Sequence, residues 1–188
     1  MQGWHRAGAP GWARPLLTSG VLLLLALALM PVTPAAAAPS GTITMNPPNS
    51  TLDIGDTVNV TIDLDVTNLN RVAVGISYDT AVLQVVDSDG ATAGTQILDG
   101  PFPGGGTVTQ NDVSAGIINY QYQVAGTSEV SGSGTLATVQ FLALAEGSGD
   151  LTFTVRQFED GSGVVANATT AAAIIYVGYS GEAISAAL

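Results

Sequence analysis

The chain has 188 residues, with four basic and fifteen acidic side chains, one histidine and no cysteine. Because this excess of negative charge repels phosphate groups and anionic lipid, we exclude nucleic acid and the membrane surface as partners. The lack of cysteine excludes disulfides and attachment through a lipidated cysteine.

The first 38 residues differ in composition from the rest. Arg6 and Arg14 precede an almost unbroken apolar run at 16–30, and a stretch of small residues follows it. A basic start, a short apolar run and an Ala-x-Ala site are the parts of a secretory signal peptide. The run is shorter than the roughly 20 apolar residues that span a bilayer, which favours a cleaved signal over a retained anchor. We expect cleavage near Ala36–Ala38 and secretion of the remaining chain.

The mature segment is predicted to form one domain at 39–179, followed by a short tail at 180–188. Both tryptophans and the only histidine precede it, and Arg71 and Arg156 are its only cations against fifteen acidic residues, a net charge of −13. The segment has the length of a single domain with one core. With no cysteine, its stability must come from packing and from hydrogen bonds within sheets.

Apolar residues of the mature segment recur at every second position, as half-buried strands require. Gly, Asn, Asp and Pro clusters of the kind that forms turns separate these runs. Many short strands, each with one apolar side, predict an all-β, antiparallel two-sheet β-sandwich of about nine strands. The runs that define the strands are Thr42–Met45, Val58–Leu64, Arg71–Tyr78, Val82–Val86, Ile118–Val124, Val139–Ala143, Leu151–Val155 and Ala173–Val177.

The residue types of the mature segment argue against catalysis. Without Cys, His or Lys, most nucleophile–base pairs and imidazole metal sites cannot form. A pair of carboxylates could still support glycoside hydrolysis, but the acidic residues lie mainly in turns and at outward positions. We therefore predict that the chain is not an enzyme.

Two pairs of acidic residues raise the question of a calcium site. Asp87 and Asp89 precede Gly90, as in the opening of an EF-hand loop, but the later ligands of such a loop are missing. Asp63 and Asp65 end a predicted strand. We interpret the first pair as an Asx-rich turn and the second as part of a solvated face, and we predict no metal site on this chain.

Three stretches in order resemble the cohesin domain, a module of bacterial scaffold proteins. The segment Ser77-Tyr78-Asp79 is followed by Val82-Leu83-Gln84-Val85 and is similar to an early cohesin segment. Gly132-Ser133-Gly134-Thr135-Leu136 is similar to a later strand entry, and Ala145–Phe153 to the next turn. The resemblance runs from roughly Gly41 to Tyr179. It implies a jelly-roll sandwich that binds a dockerin, the calcium-carrying module of secreted enzymes, and that needs no cofactor of its own.

The same resemblance implies a binding site on the outward face of one sheet. Known cohesins have an Asn and an acidic residue where Arg71 and Ala73 align here, so we expect a divergent partner. Arg71 could offer a bidentate fork to a partner carboxylate, and Leu142 an apolar anchor. The residues predicted for this face are Arg71, Ala73, Gly75, Ser77, Asn119, Gln121, Gln123, Thr138, Gln140 and Leu142.

Two other functions stay open. A carbohydrate-binding module of related fold would present exposed aromatic rings, for which Phe102, Tyr176 and Tyr179 are candidates, whereas Tyr120 and Tyr122 have the parity of core residues. A structural or adhesion domain would present a long unpaired edge strand. A flat polar sheet face with a small apolar centre would instead favour dockerin binding, and with it a role in assembling extracellular polysaccharide-degrading proteins.

Overall fold

The computed structural model describes residues 37–178, and these residues belong to one compact unit. Residues 1–36 of the predicted signal sequence at 1–38, and the predicted tail at 180–188, lie outside the described residues. Within the described part, no helix has the length and apolar character needed to cross a membrane. The unit is built from strands, in agreement with the all-β prediction.

Thirteen strands follow one another in the described residues. Five of them have only two to four residues, which explains why the sequence pattern predicted about nine. In chain order they are β1 (Ser40–Asn46), β2 (Asn49–Leu52), β3 (Thr57–Leu69), β4 (Arg71–Ser77), β5 (Leu83–Val85), β6 (Leu98–Asp99), β7 (Gly106–Ser114), β8 (Ile117–Val124), β9 (Val130–Ala143), β10 (Gly147–Glu159), β11 (Val165–Asn167), β12 (Thr169–Ala171) and β13 (Ala173–Val177).

The strands form two sheets. One has the order β12-β1-β3-β9-β5, with β6 paired to β9 beside β5. The other has the order β2-β13-β10-β4-β8-β7, with β11 paired to β10. All pairings are antiparallel except β1 with β12 and β2 with β13, which are parallel. The predicted two-sheet sandwich is thus confirmed. In each sheet a strand from the start of the domain pairs with one from its end, β1 with β12 and β2 with β13.

The core lies between the sheets and follows the period-two pattern of the sequence. Alternate residues of β3, β4 and β8 are buried, and each side chain contributes about 1.5–3 kcal/mol to folding by leaving water. Tyr120 and Tyr122 are among them, as their parity predicted. Burial and the nearby Asp99 carboxylate raise the pKa of Tyr120 far above its usual range, and its hydroxyl donates a 3.1 Å hydrogen bond to Asp99 Oδ1.

The Gly-Ser-Gly entry of β9 has a structural reason. Gly132 has φ of 143°, a conformation that residues with a side chain rarely adopt. A Cβ on Gly134 would lie 2.7 Å from Cβ of Phe102. The two glycines therefore leave room for the Phe102 ring, which packs half-buried against the core instead of standing free for a sugar.

Candidate partner-binding face

Seven of the ten predicted site residues lie together on one outward face. The outward residues of β4 pair across the sheet with those of β8: Arg71 with Gln123, Ala73 with Gln121, and Gly75 with Asn119. Ser77 pairs with Ile117 at the end of the same ladder. We call the outward side of the β10-β4-β8-β7 ladders the front face.

The other three predicted residues are on the opposite side of the sandwich. Thr138, Gln140 and Leu142 belong to β9, which is in the other sheet. The prediction that all ten share one face is wrong, because residue parity decides the side of a strand but not the sheet to which the strand belongs. We call the outward side of the β3-β9-β5 ladders the back face.

The strand that completes the front face beside β4 is β10, and β7 completes it beside β8. Sequence reasoning missed both contributions, because the period-two pattern of β10 is broken at a bulge and that of β7 is weak. Four rows of paired residues cross the face: Glu159–Arg71–Gln123–Thr107, Gln157–Ala73–Gln121–Gln110, Val155–Gly75–Asn119–Asp112 and Thr152–Ser77–Ile117–Ser114.

A chain of polar contacts runs across these rows. Arg71 Nη1 lies 3.7 Å from Glu159 Oε2, and Nη2 donates a hydrogen bond to Gln121 Oε1. Gln121 in turn donates to Gln110, and Gln110 Nε2 donates to Asp112 Oδ1 at 2.8 Å. Because each side chain is held by the next, this polar frame is ordered before any partner arrives, which reduces the entropy cost of binding.

The Arg71 guanidinium is therefore not the free fork that the sequence suggested. Its two terminal nitrogens contact Glu159 and Gln121, and its Nε is buried without a hydrogen-bond partner. Exposed ion pairs of this kind contribute at most about 1 kcal/mol to stability. The contacts of Arg71 serve to fix its position and to cancel part of the charge of the face.

The centre of the front face is small and apolar. β10 changes register between Phe153 and Val155, and a Cβ on Gly75 would lie 3.0 Å from Cβ and Cγ2 of Val155. Val155 thus packs over Gly75 while 38% of its surface stays exposed. Beside it, a cavity of about 150 Å³ is bordered by Ala73 and by the exposed Val165.

The acidic loop after β5 has the Asx geometry that the sequence predicted. Asp87 Oδ1 accepts hydrogen bonds from the backbone N–H of Asp89 and Gln96, and Asp89 Oδ1 accepts one from Ala91. Asp89 also accepts a 2.7 Å bond from the Thr92 hydroxyl, which together with the backbone N–H donors holds its pKa below the usual range. No group of three or more His, Cys, Asp or Glu side chains in residues 37–178 is arranged to hold a metal ion.

The aromatic residues of the described chain do not line up on a surface. Tyr78 is half-buried and its ring meets the buried Phe141 ring at 5.5 Å in an edge-on arrangement. Tyr176 is half-buried on β13, and Tyr179 lies outside the described residues. Phe102 packs on glycines, so the exposed ring expected for a sugar-binding site at that position is not observed.

The comparison with protein families decides where this sandwich belongs. The model of the cohesin domain matches residues 43–175. The chain belongs to the cohesin family. No match was found among curated proteins.

Solved cohesin structures share the fold at low sequence identity. A non-cellulosomal cohesin of the archaeon Archaeoglobus fulgidus is 19% identical, with a TM-score of 0.59, and the match covers 78% of this chain and 97% of that one. A type II cohesin domain from the cellulosome of Acetivibrio cellulolyticus is 21% identical, with a TM-score of 0.60 and coverages of 72% and 95%. A type I cohesin–dockerin complex of Clostridium thermocellum matches at 13% identity, with a TM-score of 0.51 and coverages of 77% and 98%. At this identity the likeness establishes the fold alone.

Proposed function

We propose that this cohesin is a secreted, non-catalytic receptor that binds a dockerin-bearing protein through its front face. Its role would be to bring that protein into an extracellular assembly that degrades polysaccharides. Calcium belongs to the partner in this proposal, where it would order the dockerin loops, and the cohesin itself needs no cofactor.

The observation that carries the proposal is the composition of the front face. Val155, Ala73 and Gly75 form a small apolar centre, and the hydrogen-bonded frame from Glu159 to Asp112 borders it along the Arg71 row and towards β7. Protein interfaces concentrate their binding energy in such a centre, while a polar rim excludes water around it. A rigid antiparallel sheet presents this pattern at little conformational cost, which suits recognition of a folded partner.

The two other functions have weaker support. Carbohydrate binding would be expected to use a row of exposed aromatic rings, and the aromatic residues within 37–178 are all buried or half-buried. Self-association would use the free edge of β7. The preceding loop covers part of that edge, because Val113 N–H donates to the Thr95 carbonyl and Ile97 N–H donates to Asn111 Oδ1. A register shift at Thr109 also interrupts the strand.

The first test is a pull-down with residues 37–188 as bait. Secreted protein from the source organism would be applied with calcium and then with a chelator. Capture of a protein with paired calcium-binding helices, and its release by the chelator, would support the proposal. Retention on insoluble polysaccharide without such capture would refute it.

Variants locate the face. Val155→Asp should weaken the captured complex by roughly 30-fold or more, as loss of an interface centre does. Ile54→Asp is the matched control, since Ile54 is 56% exposed and lies between β2 and β3. Leu142→Ala should leave affinity unchanged. If it abolishes binding while Val155→Asp does not, the partner binds the back face.

A further inference from the structure

The apolar centre of the front face extends beyond β10 to β11. Val165 of β11 pairs with Glu159 of β10, and 54% of its surface is exposed. Together with Ala73 and Val155 it borders the cavity of about 150 Å³ on this face. A cavity of this size with apolar walls can hold a ligand as large as benzene. The front face therefore has room for one bulky apolar side chain of a partner.

The polar side chains around this cavity are largely paired with one another. Arg71 Nη1 lies 3.7 Å from Glu159 Oε2, and Nη2 donates to Gln121. Gln157, the fourth polar residue of the border, is exposed and can bind water. A polar side chain of a partner would gain little here, because it would compete with bonds that are already made. The cavity thus favours an apolar occupant.

A second observation lies at the other side of the front face, on β7. Asp112 is half-buried there. Its carboxylate accepts hydrogen bonds from two neutral amides, Gln110 Nε2 at 2.8 Å and Asn119 Nδ2 at 3.3 Å. These bonds fix the carboxylate in position but leave its negative charge uncompensated.

Neither arginine of residues 37–178 neutralises Asp112. Arg71 pairs with Glu159, and Arg156 Nη1 donates to the hydroxyl of Thr170. The net charge of −13 on the mature segment adds to the attraction for a cation. The front face therefore presents a fixed negative charge that a basic side chain of a partner would complement.

We propose that the front face selects a dockerin that presents one bulky apolar side chain to the cavity between Val155 and Val165, and a lysine or arginine to Asp112. This inference rests on the proposed docking function and specifies which partner the face accepts. Val155 and Asp112 lie in one row that crosses four strands, at a separation of about 14 Å from the usual strand spacing. A partner helix that crosses these strands would carry the two side chains about two to three turns apart, or roughly 7–11 residues.

The test uses the dockerin of the captured protein, expressed alone and titrated calorimetrically into residues 37–188. Val165→Asp should weaken binding at least about tenfold, because a charge replaces an apolar wall of the cavity. Leu144→Asp is the matched control and should bind like the wild type. Leu144 is 41% exposed and lies between β9 and β10, outside the front face.

The charge is tested by a second pair of variants. Asp112→Asn should weaken binding roughly threefold and reduce its salt dependence, because a cation of the dockerin loses its counter-charge. Asp53→Asn removes the same charge from an exposed site between β2 and β3, and it should have no such effect. Replacing the lysine or arginine of the dockerin by glutamine should add little to Asp112→Asn. Fully additive losses would show that this cation binds elsewhere, which overturns the assignment to Asp112.

The apolar preference of the cavity is tested with two small probes. N-acetyl-leucinamide and N-acetyl-asparaginamide have nearly the same shape, and only the first has an apolar side chain. In a methyl-labelled sample, the leucine probe should shift the methyl signals of Val155 and Val165 saturably, and the asparagine probe should not. Equal shifts with the two probes, or no shift with the leucine probe, would overturn the preference.

The outcomes separate this inference from the docking function on which it rests. Failure to capture any dockerin refutes both. A dockerin that binds the wild type, Val165→Asp and Asp112→Asn alike leaves the docking function intact and overturns this inference alone. Dimerisation of the domain that Val165→Asp abolishes would assign the cavity to a second copy of the chain, which also overturns it.

Discussion

The contact between Gly75 and Val155 leads to a prediction on stability. In Gly75→Ala, the new Cβ would lie 2.6 Å from Thr154 Oγ1 and 3.0 Å from Cβ and Cγ2 of Val155. The valine Cβ is fixed to the backbone of β10, so the strand itself must shift. Such overpacking costs about 1–3 kcal/mol. Replacing Gly by Ala within a strand otherwise stabilises the fold by about 0.5–1 kcal/mol. We therefore expect Gly75→Ala to lower the free energy of unfolding by about 0.5–2 kcal/mol.

The assay is urea unfolding of residues 37–188, followed by thermal unfolding. At this chain length each kcal/mol lowers Tm by about 2–4 °C. Gly90→Ala is the control, because an added Cβ there meets no atom within 4 Å. It should be neutral or stabilising by up to about 1 kcal/mol. If Gly75→Ala is as stable as this control, Val155 does not pack over Gly75 and the description of the face centre is wrong.

The remaining predictions concern three buried polar residues. Tyr120→Phe should cost about 1 kcal/mol in urea unfolding, through loss of the hydrogen bond to Asp99. Because burial raises the pKa of Tyr120 in the fold, the wild type should lose stability as pH rises above about 10, and Tyr120→Phe should show less of this loss. The hydrogen bond from the backbone N–H of Val164 lowers the pKa of Asp160. The stabilisation of the fold by this carboxylate should therefore be complete above about pH 4 and be lost as the pH falls further. Asp160→Asn should flatten that part of the acid unfolding curve. Asn70→Ala leaves two loop carbonyls without their side-chain donor and should destabilise by about 1–3 kcal/mol, whereas no change would show that water replaces the amide.

The sequence predicted the strands that alternate cleanly and the side to which their residues point. In β4 and β8 every apolar residue of the pattern is buried, and the seven predicted front-face residues are outward. The burial of Tyr120 and Tyr122 followed from the same parity. These results depend only on local geometry, which the order of residues carries directly.

The rest depends on pairing between distant parts of the chain. Leu142 and Gln140 have the parity of outward residues, yet only the pairing of β9 with β3 and β5 places them on the back. The register shift before Val155 makes this apolar residue the centre of the front face, and alternation alone gives no sign of it. Phe102 packs on Gly134, and this contact joins residues far apart in sequence. The local sequence therefore carries no sign that Phe102 is half-buried.

The parallel pairing of the terminal strands bears on how the domain responds to tension. β1 runs beside β12 and β2 beside β13, in the same direction. A pull on the two ends of the domain would slide these pairs along their length, so their hydrogen bonds would have to break together and not one after another. The two regions where the chain enters and leaves the fold would therefore resist such a load.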